Sequence, residues 1–460
     1  MAKEADLMQN IVSLCKRRGF VFPGSEIYGG LANTYDYGPL GVLMLRNIEN
    51  LWWENFVTKR DDIYGLDTAI LMSPKVWEAS GHVANFNELL VDCKKCNQRT
   101  GAEKMVQEYL EKAGKPEIVE GKSEEELEKI INDHNIPCPE CGEFDWTKPR
   151  KFNNLFETHI GIVPENKSLT YLRGEIAQGM FTNFKNVLDT MRPKLPFGLA
   201  QVGKAFRNEI TKGNFIFRTL EFKLMEFEYF FNPNESKWED IFNSWRKDMQ
   251  SWIESLGIPG GKLRWREHTD DERAHYSVRT EDLDFEFPMG FKEMFGLAYR
   301  TDFDLRNHMD KSGTDLMYTD PNTGEKFIPH VVEPTFGATR IFLALLVNGY
   351  ADEGDRVVLK LHKDVAPYKA AVFPLVRNKP DLVSKAKEVF NMLTQAGVST
   401  DWDDRGNIGK RYLSQDEIGT PYCITIDYDS LEDDSVTIRN RDTTEQKRAR
   451  IDQIVEFLDK

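Results

Sequence analysis

The sequence predicts an α+β protein of two domains, in which a large domain built on an antiparallel sheet precedes a small α/β domain. Residues 201–229 read as two strands joined by a basic turn, which predicts an antiparallel hairpin. Residues 282–287 alternate acidic and apolar side chains, which predicts another strand with one acidic face, and a solvated edge is the simplest interpretation of those carboxylates. Towards the end of the chain, strand-like and helix-like segments alternate, which is typical of an α/β fold. We therefore assign residues 1–355 to the first domain and 356–460 to the second.

Length and composition limit the class of protein. A chain of 460 residues is too long for one compact core, and 40% apolar with 12% aromatic residues indicates a globular protein. No apolar run approaches the roughly 20 residues of a membrane span, and the N-terminus lacks the apolar core of a signal peptide. We therefore expect a soluble, cytoplasmic protein. A net charge of −15 argues against a general nucleic-acid-coating protein, although local basic patches on an acidic body can still bind tRNA.

The first domain opens with patterns that predict two helices, a loop and a strand. Residues 4–18 have the spacing of an amphipathic helix, and residues 41–57 have that of a second helix. Between them, residues 24–41 are rich in Gly, Tyr and Pro, which indicates a structured loop. Residues 63–72 read as a strand that ends before Pro74.

Four of the six cysteines form two CxxC pairs, a pattern of metal binding in a reducing compartment rather than of disulfide bonding. Two thiolates a short turn apart can reach one tetrahedral zinc ion at about 2.3 Å. Four cysteines leave no open coordination position, so the zinc would be structural; the alternative is a knuckle that folds without its metal. The pairs bound an insertion at 92–150, whose acidic, helix-like spacer we expect to protrude. The predicted ligands are Cys93, Cys96, Cys138 and Cys141.

The predicted hairpin carries charges that suit a polyphosphate. Arg207 and Glu209 lie two residues apart, which on a strand places them on one face. The second run, which we expect to begin at Phe217, adds Arg218, and a guanidinium group forks onto two phosphate oxygens at once. Phe222 could stack on a base. The alternative is a surface hairpin with ordinary cross-strand ion pairs.

Several motifs resemble those of one enzyme family. FRNE at 206–209, followed after a short loop by FR-x-x-EF at 217–222, resembles motif 2 of the class II aminoacyl-tRNA synthetases. The surrounding QVGKAFRNEIT is similar to the glycyl-tRNA synthetase version, and TYLRGEIAQG at 170–179 resembles that family's TYLRPETAQG. Residues 331–340 resemble motif 3, and residues 41–74 resemble motif 1, the dimer-forming element.

The last domain resembles the anticodon-binding domain that several class IIa synthetases share, on the segments at 408–412, 415–421 and 436–444. Its basic residues could meet RNA phosphates or bases, with a solvated charged face as the alternative. These residues are Lys410, Arg411, Arg439 and Arg441.

The resemblance covers nearly the whole chain and implies a class II synthetase fold, a homodimer, and the joining of glycine to tRNA(Gly). Glycine and ATP would form glycyl adenylate and pyrophosphate, with Mg²⁺ bridging the phosphates, and glycine would then pass to the 3′ end of the tRNA. The implied catalytic residues are Arg207 and Arg340. The implied ATP-binding residues are Arg207, Asn208, Glu209, Phe217, Arg218, Phe222, Glu293, Met294, Gly337 and Arg340. The implied glycine-binding residues are Arg99, Glu175, Glu226, Arg300, Glu333 and Thr335.

Departures from the family pattern leave alternatives open. They fall near the expected ATP and glycine sites, so an altered activity is one alternative: Gly174, Ile176, Leu220, Leu224, Tyr299 and Thr335. A second is a relative without catalysis, such as the accessory subunit of a mitochondrial DNA polymerase. Such a protein would be free to lose Arg207, Glu209 and Arg340. A third is a class IIa synthetase for histidine, threonine or proline, against which the glycyl-like EPTFG at 333–337 argues.

Overall fold

A computed structural model describes residues 2–115, 119, 122–163, 167–209, 215–270 and 272–459. The predicted basic turn at 211–214 lies outside these residues. None of the described helices is long and apolar enough to cross a membrane.

Seven helices and strands of the described residues precede the cysteine-bearing insertion. They are α1 (Ala2–Arg18), β1 (Val21–Pro23), β2 (Tyr35–Tyr37), α2 (Pro39–Trp53), β3 (Ile63–Gly65), α3 (Pro74–Ala79) and α4 (His82–Asn85). Both predicted helices are confirmed, and a π-helical turn, Glu54–Thr58, extends α2. The predicted strand at 63–72 is wrong beyond Gly65, because only Leu71 of the remainder pairs, in an isolated bridge with Leu172.

The cysteine-bearing insertion is a small module with its own core. Its elements are β4 (Asn87–Asp92), β5 (Arg99–Gly101), α5 (Ala102–Lys112), α6 (Glu124–Asp133) and β6 (Arg150–Asn153). The strands form a sheet in the order β5-β4-β6. The acidic spacer does form a helix, α6, which begins with a capping box at Ser123. It packs rather than protrudes freely, because Leu127 and Ile131 are buried with Val106 and Leu110 of α5.

A seven-stranded sheet organises the rest of the first domain. Its order is β11-β12-β13-β16-β10-β9-β3, antiparallel except where β3 joins β9. The elements of this region are β7 (Phe156–Ile160), β8 (Ser168–Leu172), α7 (Ala177–Met191), β9 (Phe197–Phe206), β10 (Glu221–Phe231), α8 (Trp238–Ser255), β11 (Leu263–Glu267), β12 (Arg279–Phe287), β13 (Gly290–Thr301), α9 (Phe303–Ser312), β14 (Tyr318–Thr319), β15 (Lys326–Phe327), β16 (His330–Gly337) and α10 (Ala338–Gly349). The prediction of an antiparallel sheet is confirmed.

One face of this sheet is an aromatic core and the other carries charge. On β10, Met225 and Phe227 point to the core, where Phe227 lies 5.8 Å, ring to ring, from Phe56. Each aromatic side chain buried there contributes roughly 1.5–3 kcal/mol to stability. Because side chains alternate along a strand, Glu226 and Glu228 point to the opposite face. The core anchors the strand, and the strand fixes these two carboxyl groups.

The motif 2 hairpin and the acidic strand both differ from expectation. The first strand ends at Phe206, so Arg207 and Glu209 follow it instead of sharing its face. The second begins at Glu221, because residues 215–217 form a 3₁₀ turn. On β12, Asp282 and Asp284 are buried rather than solvated, since arginines of β11 pair with both.

The C-terminal residues form the predicted α/β unit. Its elements are β17 (Tyr350–Asp352), β18 (Val357–Leu359), β19 (Ala370–Pro374), α11 (Pro380–Gln395), β20 (Thr400–Trp402), α12 (Ile408–Ile418), β21 (Tyr422–Ile426), α13 (Ser430–Asp433), β22 (Ser435–Asn440), β23 (Gln446–Arg450) and α14 (Ile454–Asp459). A five-stranded sheet has the order β20-β19-β21-β22-β23. The expected boundary after residue 355 falls in the β17–β18 hairpin.

Ion pairs join α1 to the C-terminal unit. Arg17 and Arg18, in the last turn of α1, both pair with Glu417 near the end of α12. Next to it, the fully buried Asp416 pairs with Arg356 and Arg439. The first helix and the last domain therefore share a fixed joint.

Candidate active site

A cavity of about 620 Å³ opens on the charged face of the sheet and gathers most of the predicted site residues. At one end lie arginines and aromatic rings, and at the other lie buried carboxyl groups. The predicted residues that line it are Glu175, Arg207, Glu209, Phe217, Arg218, Phe222, Glu226, Glu293, Met294, Glu333, Thr335, Gly337 and Arg340. Three predicted residues, Arg99, Asn208 and Arg300, do not line it.

The arginines at the first end are held by carboxylates and backbone. Arg340 pairs with Glu293 at 2.9 Å, and Arg218 pairs with Glu209 at 3.3 Å. The Nε of Arg207 donates to the carbonyl of Gly174 at 3.0 Å. Three guanidinium groups thus converge on one open space, which suits a group with several negative oxygens.

Aromatic rings complete this end of the cavity. Arg340 lies 4.8 Å from the centre of the Phe217 ring, and Arg207 lies 5.4 Å from that of Phe222. A planar base could enter between such groups. Gly337 allows the backbone to approach, since a Cβ there would lie 3.2 Å from the carbonyl oxygen of Met294.

Four carboxyl groups lie at the other end, and three of them line the cavity. Glu226 accepts a hydrogen bond from Thr335 at 3.3 Å, across the β10–β16 pair. Glu175, just before α7, pairs with His82 at 3.2 Å. Glu333 pairs with Arg300 at 2.8 Å. The fourth, Glu228, is fully buried and does not line the cavity, but one of its oxygens lies within 4.8 Å of oxygens of Glu226 and Glu333.

The electrostatics of these carboxyl groups differ. Burial raises the pKa of Glu333 to about 7, and the nearby Glu175 carboxylate adds to the shift against the pull of Arg300. Burial, with repulsion from Glu333, also raises the pKa of Glu226. Burial alone would raise the pKa of Glu175, but His82 and Arg300 lower it below its usual value. A cation that enters this end of the cavity would therefore favour the ionised forms of Glu226 and Glu333.

Arg300 supports this end from behind. It is fully buried, binds Asp304 through two hydrogen bonds of 2.7 and 2.9 Å, and lies 3.8 Å from the centre of the Tyr276 ring. It therefore holds Glu333 in place from behind the cavity wall.

Several lining residues were missing from the prediction. A solvated edge is the simplest interpretation of Asp282 from the sequence, yet Asp282 lines the cavity and pairs with His268 at 2.7 Å. Its pKa is raised to about 6 by burial and by the Glu293 carboxylate. His82 and Tyr276 also line the cavity. The alternating acidic pattern was the signal for Asp282, but a pattern alone does not tell which face a neighbouring strand covers.

The departures from the family pattern fall into two groups. Leu224 and Thr335 line the cavity. Tyr299 lies on the opposite face of β13, stacked on Trp238 and hydrogen-bonded to His330, so the expectation that it sits near the substrate site is wrong.

The remaining departures do not line the cavity. Ile176 is packed in the core beneath α7. Leu220 uses its backbone to bond Arg207 and Asn33. Gly174 gives its carbonyl oxygen to Arg207, as described above.

The four predicted metal ligands come together in the insertion. The sulfur atoms of Cys93 and Cys141 lie 3.7 Å apart, and so do those of Cys96 and Cys138. Tetrahedral bonds of about 2.3 Å to one ion would set the sulfurs about 3.8 Å apart, so the four thiols fit zinc. Arg99, in the same module, is exposed and pairs with Asp92. The structure therefore does not bring Arg99 to the glycine end of the cavity.

Comparison with known proteins agrees with this arrangement. A family model described as "tRNA synthetase class II core domain (G, H, P, S and T)" matches residues 157–349, and one described as "Anticodon binding domain" matches residues 369–460. The glycine–tRNA ligase of Caldanaerobacter subterraneus subsp. tengcongensis is 49% identical over 456 residues, 98% of each chain.

Two further relatives give the same result. The glycine–tRNA ligase of Geobacillus thermodenitrificans is 49% identical and covers 99% of this chain and 98% of its own. That of Clostridium tetani is 50% identical and covers 98% and 97%. The expected class II fold is confirmed. These relatives support neither a family member without catalysis nor a synthetase for histidine, threonine or proline. With its cavity, its two domains and these relatives, the chain belongs to the glycine–tRNA ligase family of class II aminoacyl-tRNA synthetases.

Proposed function

We propose that the chain activates glycine with ATP to glycyl adenylate and transfers the glycyl group to the 3′ end of tRNA(Gly). The observation that carries this proposal is a single cavity with two unlike ends. Three arginines at one end suit a triphosphate, and buried carboxyl groups at the other suit a small cation. ATP and an amino acid placed in this way would meet at the middle.

The chemical step needs positioning and charge stabilisation rather than a protein nucleophile. An oxygen of the glycine carboxylate attacks the α-phosphorus, the new O–P bond forms, and the bond to the β-phosphate oxygen breaks to release pyrophosphate. Arg207 contacts groups of both ends of the cavity. At the carboxyl end, the carbonyl of Gly174, the residue before Glu175, accepts a hydrogen bond from the Nε of Arg207. At the arginine end, the Phe222 ring lies next to the guanidinium group. Arg207 would bridge the two anionic groups in the transition state.

The outer phosphates would lie against Arg218 and Arg340. Both are paired with carboxylates, Glu209 and Glu293, which set their orientation. Glu293 offers half-exposed oxygen ligands of the kind that Mg²⁺ prefers, so the residues present fit the ion. When bound, Mg²⁺ would neutralise phosphate charge and favour departure of pyrophosphate.

Selectivity for glycine would come from exclusion. Glu226, Glu333 and Thr335 crowd the amine end, and the first two are almost fully buried. A larger amino acid would have to displace a carboxyl group that Thr335 or Arg300 already holds. Protein interiors resist such displacement because they are close-packed.

The second domain would bind the tRNA, although only Lys410 of the four basic residues expected to do so is exposed. Arg411, Arg439 and Arg441 are buried and hydrogen-bonded to neighbouring groups. They therefore neither form a solvated face nor offer a surface for RNA. Besides Lys410, three basic residues of the edge strand β23 are exposed and support an RNA-facing surface there: Lys447, Arg448 and Arg450. Arg448 is also paired with Asp427 and Asp433, and Arg450 with Asp452.

The homodimer and the cytoplasmic location also remain proposals. An exposed apolar loop supports an interface with a second copy, since Ile27 and Tyr28 are 89% and 87% exposed. Measurement of the mass in solution by sedimentation tests the dimer; a monomer at micromolar concentration would contradict it.

The reaction is tested by ATP–pyrophosphate exchange with glycine, and with alanine, serine, threonine, histidine and proline as controls. We expect exchange with glycine alone, followed by charging of tRNA(Gly). Exchange with another amino acid would move the chain to a different specificity. No exchange in a folded protein would support a binding role without catalysis.

A further inference from the structure

Glu228 is a buried carboxyl group to which the proposed mechanism gives no role. It is fully buried, and neither of its carboxyl oxygens has a hydrogen-bond partner among the described residues. The pairs Glu226 with Thr335 and Tyr229 with Val332 set the strand register, which places Glu228 opposite Glu333. An unpartnered carboxylate beside a second one is strongly unfavourable unless a proton or a cation compensates it.

The spacing of three carboxyl groups matches that of acceptors around an ammonium group. One oxygen each from Glu226, Glu228 and Glu333 lies within 4.8 Å of the others. An ammonium nitrogen with tetrahedral hydrogen bonds of about 2.8 Å sets its acceptors about 4.6 Å apart. Oε1 of Glu226 has no partner among the described residues, and Arg300 engages only Oε1 of Glu333.

Glu175 is less suited to this role than the sequence indicates. His82 engages one of its oxygens at 3.2 Å, and Gln178 donates to the other at 2.8 Å. Its acceptor capacity toward a ligand is therefore partly used, whereas that of Glu228 is free.

We propose that Glu228 is a further specificity-determining residue, which with Glu226 and Glu333 forms a three-oxygen site for the ammonium group of the amino acid. This inference rests on the proposal that the cavity takes glycine. A group with three N–H donors satisfies all three oxygens, and a secondary amine leaves one unsatisfied. The pocket thus recognises a primary amine rather than a positive charge alone.

The proton balance of the site should change when the ammonium group binds. Burial, and then repulsion from Glu333, raise the pKa of Glu228 well above its usual value. An entering ammonium group favours the ionised carboxylates, so protons leave as glycine binds. The other charged or titratable groups around the site are Glu175, Arg300, Asp304, His82, His308 and Tyr276.

The test compares wild type with Glu228→Gln in glycine-dependent exchange and in calorimetry with buffers of different ionisation enthalpy. We expect the variant to raise the KM for glycine at least about tenfold, to leave the KM for ATP within about twofold, and to release fewer protons per glycine bound. Glu281→Gln is the matched control, because Glu281 is a buried carboxylate of β12 that pairs with Arg246 and Arg279 outside the cavity.

A second comparison uses N-methylglycine, which has one N–H donor fewer. Wild type should discriminate against it, and Glu228→Gln should discriminate less, which a general loss of folding cannot produce. The comparison of glycine with N-methylglycine in wild type remains valid even if Glu228→Gln does not fold. Full activity of wild type with N-methylglycine would overturn the three-oxygen site. An unchanged glycine KM and unchanged proton release in Glu228→Gln would overturn the inference while the proposed function stands. A wild-type chain without glycine-dependent exchange would overturn both.

Discussion

At the scale of single residues, the amine end of the cavity buries several carboxyl groups whose ionised forms are unfavourable there. Glu226 and Glu333 are almost fully buried, and Arg300 supplies the positive charge nearest to them. A buried cation can offset one carboxylate well but not several. Partial protonation of the empty pocket follows, and so does a dependence of binding on pH.

The affinity for glycine should rise with pH. The carboxyl groups of Glu226 and Glu333 have raised pKa values, about 7 for Glu333, and the bound ammonium group favours their ionised forms. The KM for glycine should therefore fall as pH increases from 6 to 8, with little change in the KM for ATP. A flat glycine profile over this range would show that neither group titrates there.

The same groups affect stability with a defined sign. Without glycine, the folded chain retains protons that the unfolded chain loses above the usual carboxyl pKa of about 4.5. The stabilisation that these retained protons contribute to the free energy of unfolding is therefore lost as pH rises towards about 7. Bound glycine restores it, because its ammonium group compensates the ionised carboxylates. Thermal melting at pH 6 and pH 8 with and without glycine measures this: the increase in Tm should be larger at pH 8.

Removal of a phosphate-binding arginine should act mainly on the chemical step. Arg340→Ala should lower the exchange rate about 10²- to 10³-fold, because it removes charge that faces the departing pyrophosphate. Arg306→Ala is a suitable control, since Arg306 is an exposed arginine of α9 paired with Asp302. Equal rates for the two variants would contradict the assignment of Arg340.

Sequence motifs predicted most of the cavity residues but not their supports. The positions of Arg207, Arg218 and Arg340 follow from motif 2 and motif 3, and those of Glu175 and Glu293 follow from the wider resemblance to the family. Glu228 and Asp282 could not be assigned, because an acidic residue on a strand is as consistent with solvent as with burial. Only the register of β10 with β16, and of β11 with β12, shows that both are covered.

At the scale of elements, the two faces of β13 have different roles: one lines the cavity and the other packs against Trp238. Ala298 lines the cavity, and Tyr299, one residue on, stacks on Trp238 at 4.5 Å between ring centres. Tyr299→Asn introduces the residue that the family pattern usually has. It should lower the free energy of unfolding by about 3 kcal/mol, with the KM for glycine unchanged. Urea denaturation and exchange kinetics check the two parts, and a changed KM with unchanged stability would reverse the assignment.

The insertion should depend on its metal. Cys96→Ser removes one of four sulfur atoms that fit a tetrahedral ion, so zinc content should fall from about one ion per chain to nearly none. Trp146 is buried in the same core, and its fluorescence should report loosening of the module. If wild-type protein contains no zinc and Cys96→Ser leaves the fluorescence of Trp146 unchanged, the thiols pack without a metal.

Elements with strong periodicity were predicted well, and short ones were not. The amphipathic α1 and the long α2 follow directly from apolar spacing. The strand expected at 63–72 shortens to Ile63–Gly65, because the chain leaves β9 after Ala200 although β9 itself continues to Phe206. Where two strands part is tertiary information that a local pattern does not contain.

At the scale of the whole molecule, ion pairs join the two domains. Glu417 of α12 is the shared partner of Arg17 and Arg18, and both arginines lie at the end of α1. Glu417→Gln should loosen this joint. Amide hydrogen exchange should then increase in α1 and α12 but not in the seven-stranded sheet, with Glu432→Gln, an exposed change on α13, as control. Exchange that is unchanged in both helices would show that apolar contacts alone hold the domains together.

The joint between Arg18 and Glu417 spans 399 positions of the chain, so the ribosome makes its two halves at very different times. At about 5–20 residues per second, α1 emerges roughly 20–80 s before its partner helix. During that interval the basic end of α1 has no Glu417 to bind, and the first domain must already be stable enough to wait. A nascent chain arrested before α12 would therefore present that basic helix end without its acidic partner, whereas in the finished chain Glu417 pairs with both Arg17 and Arg18.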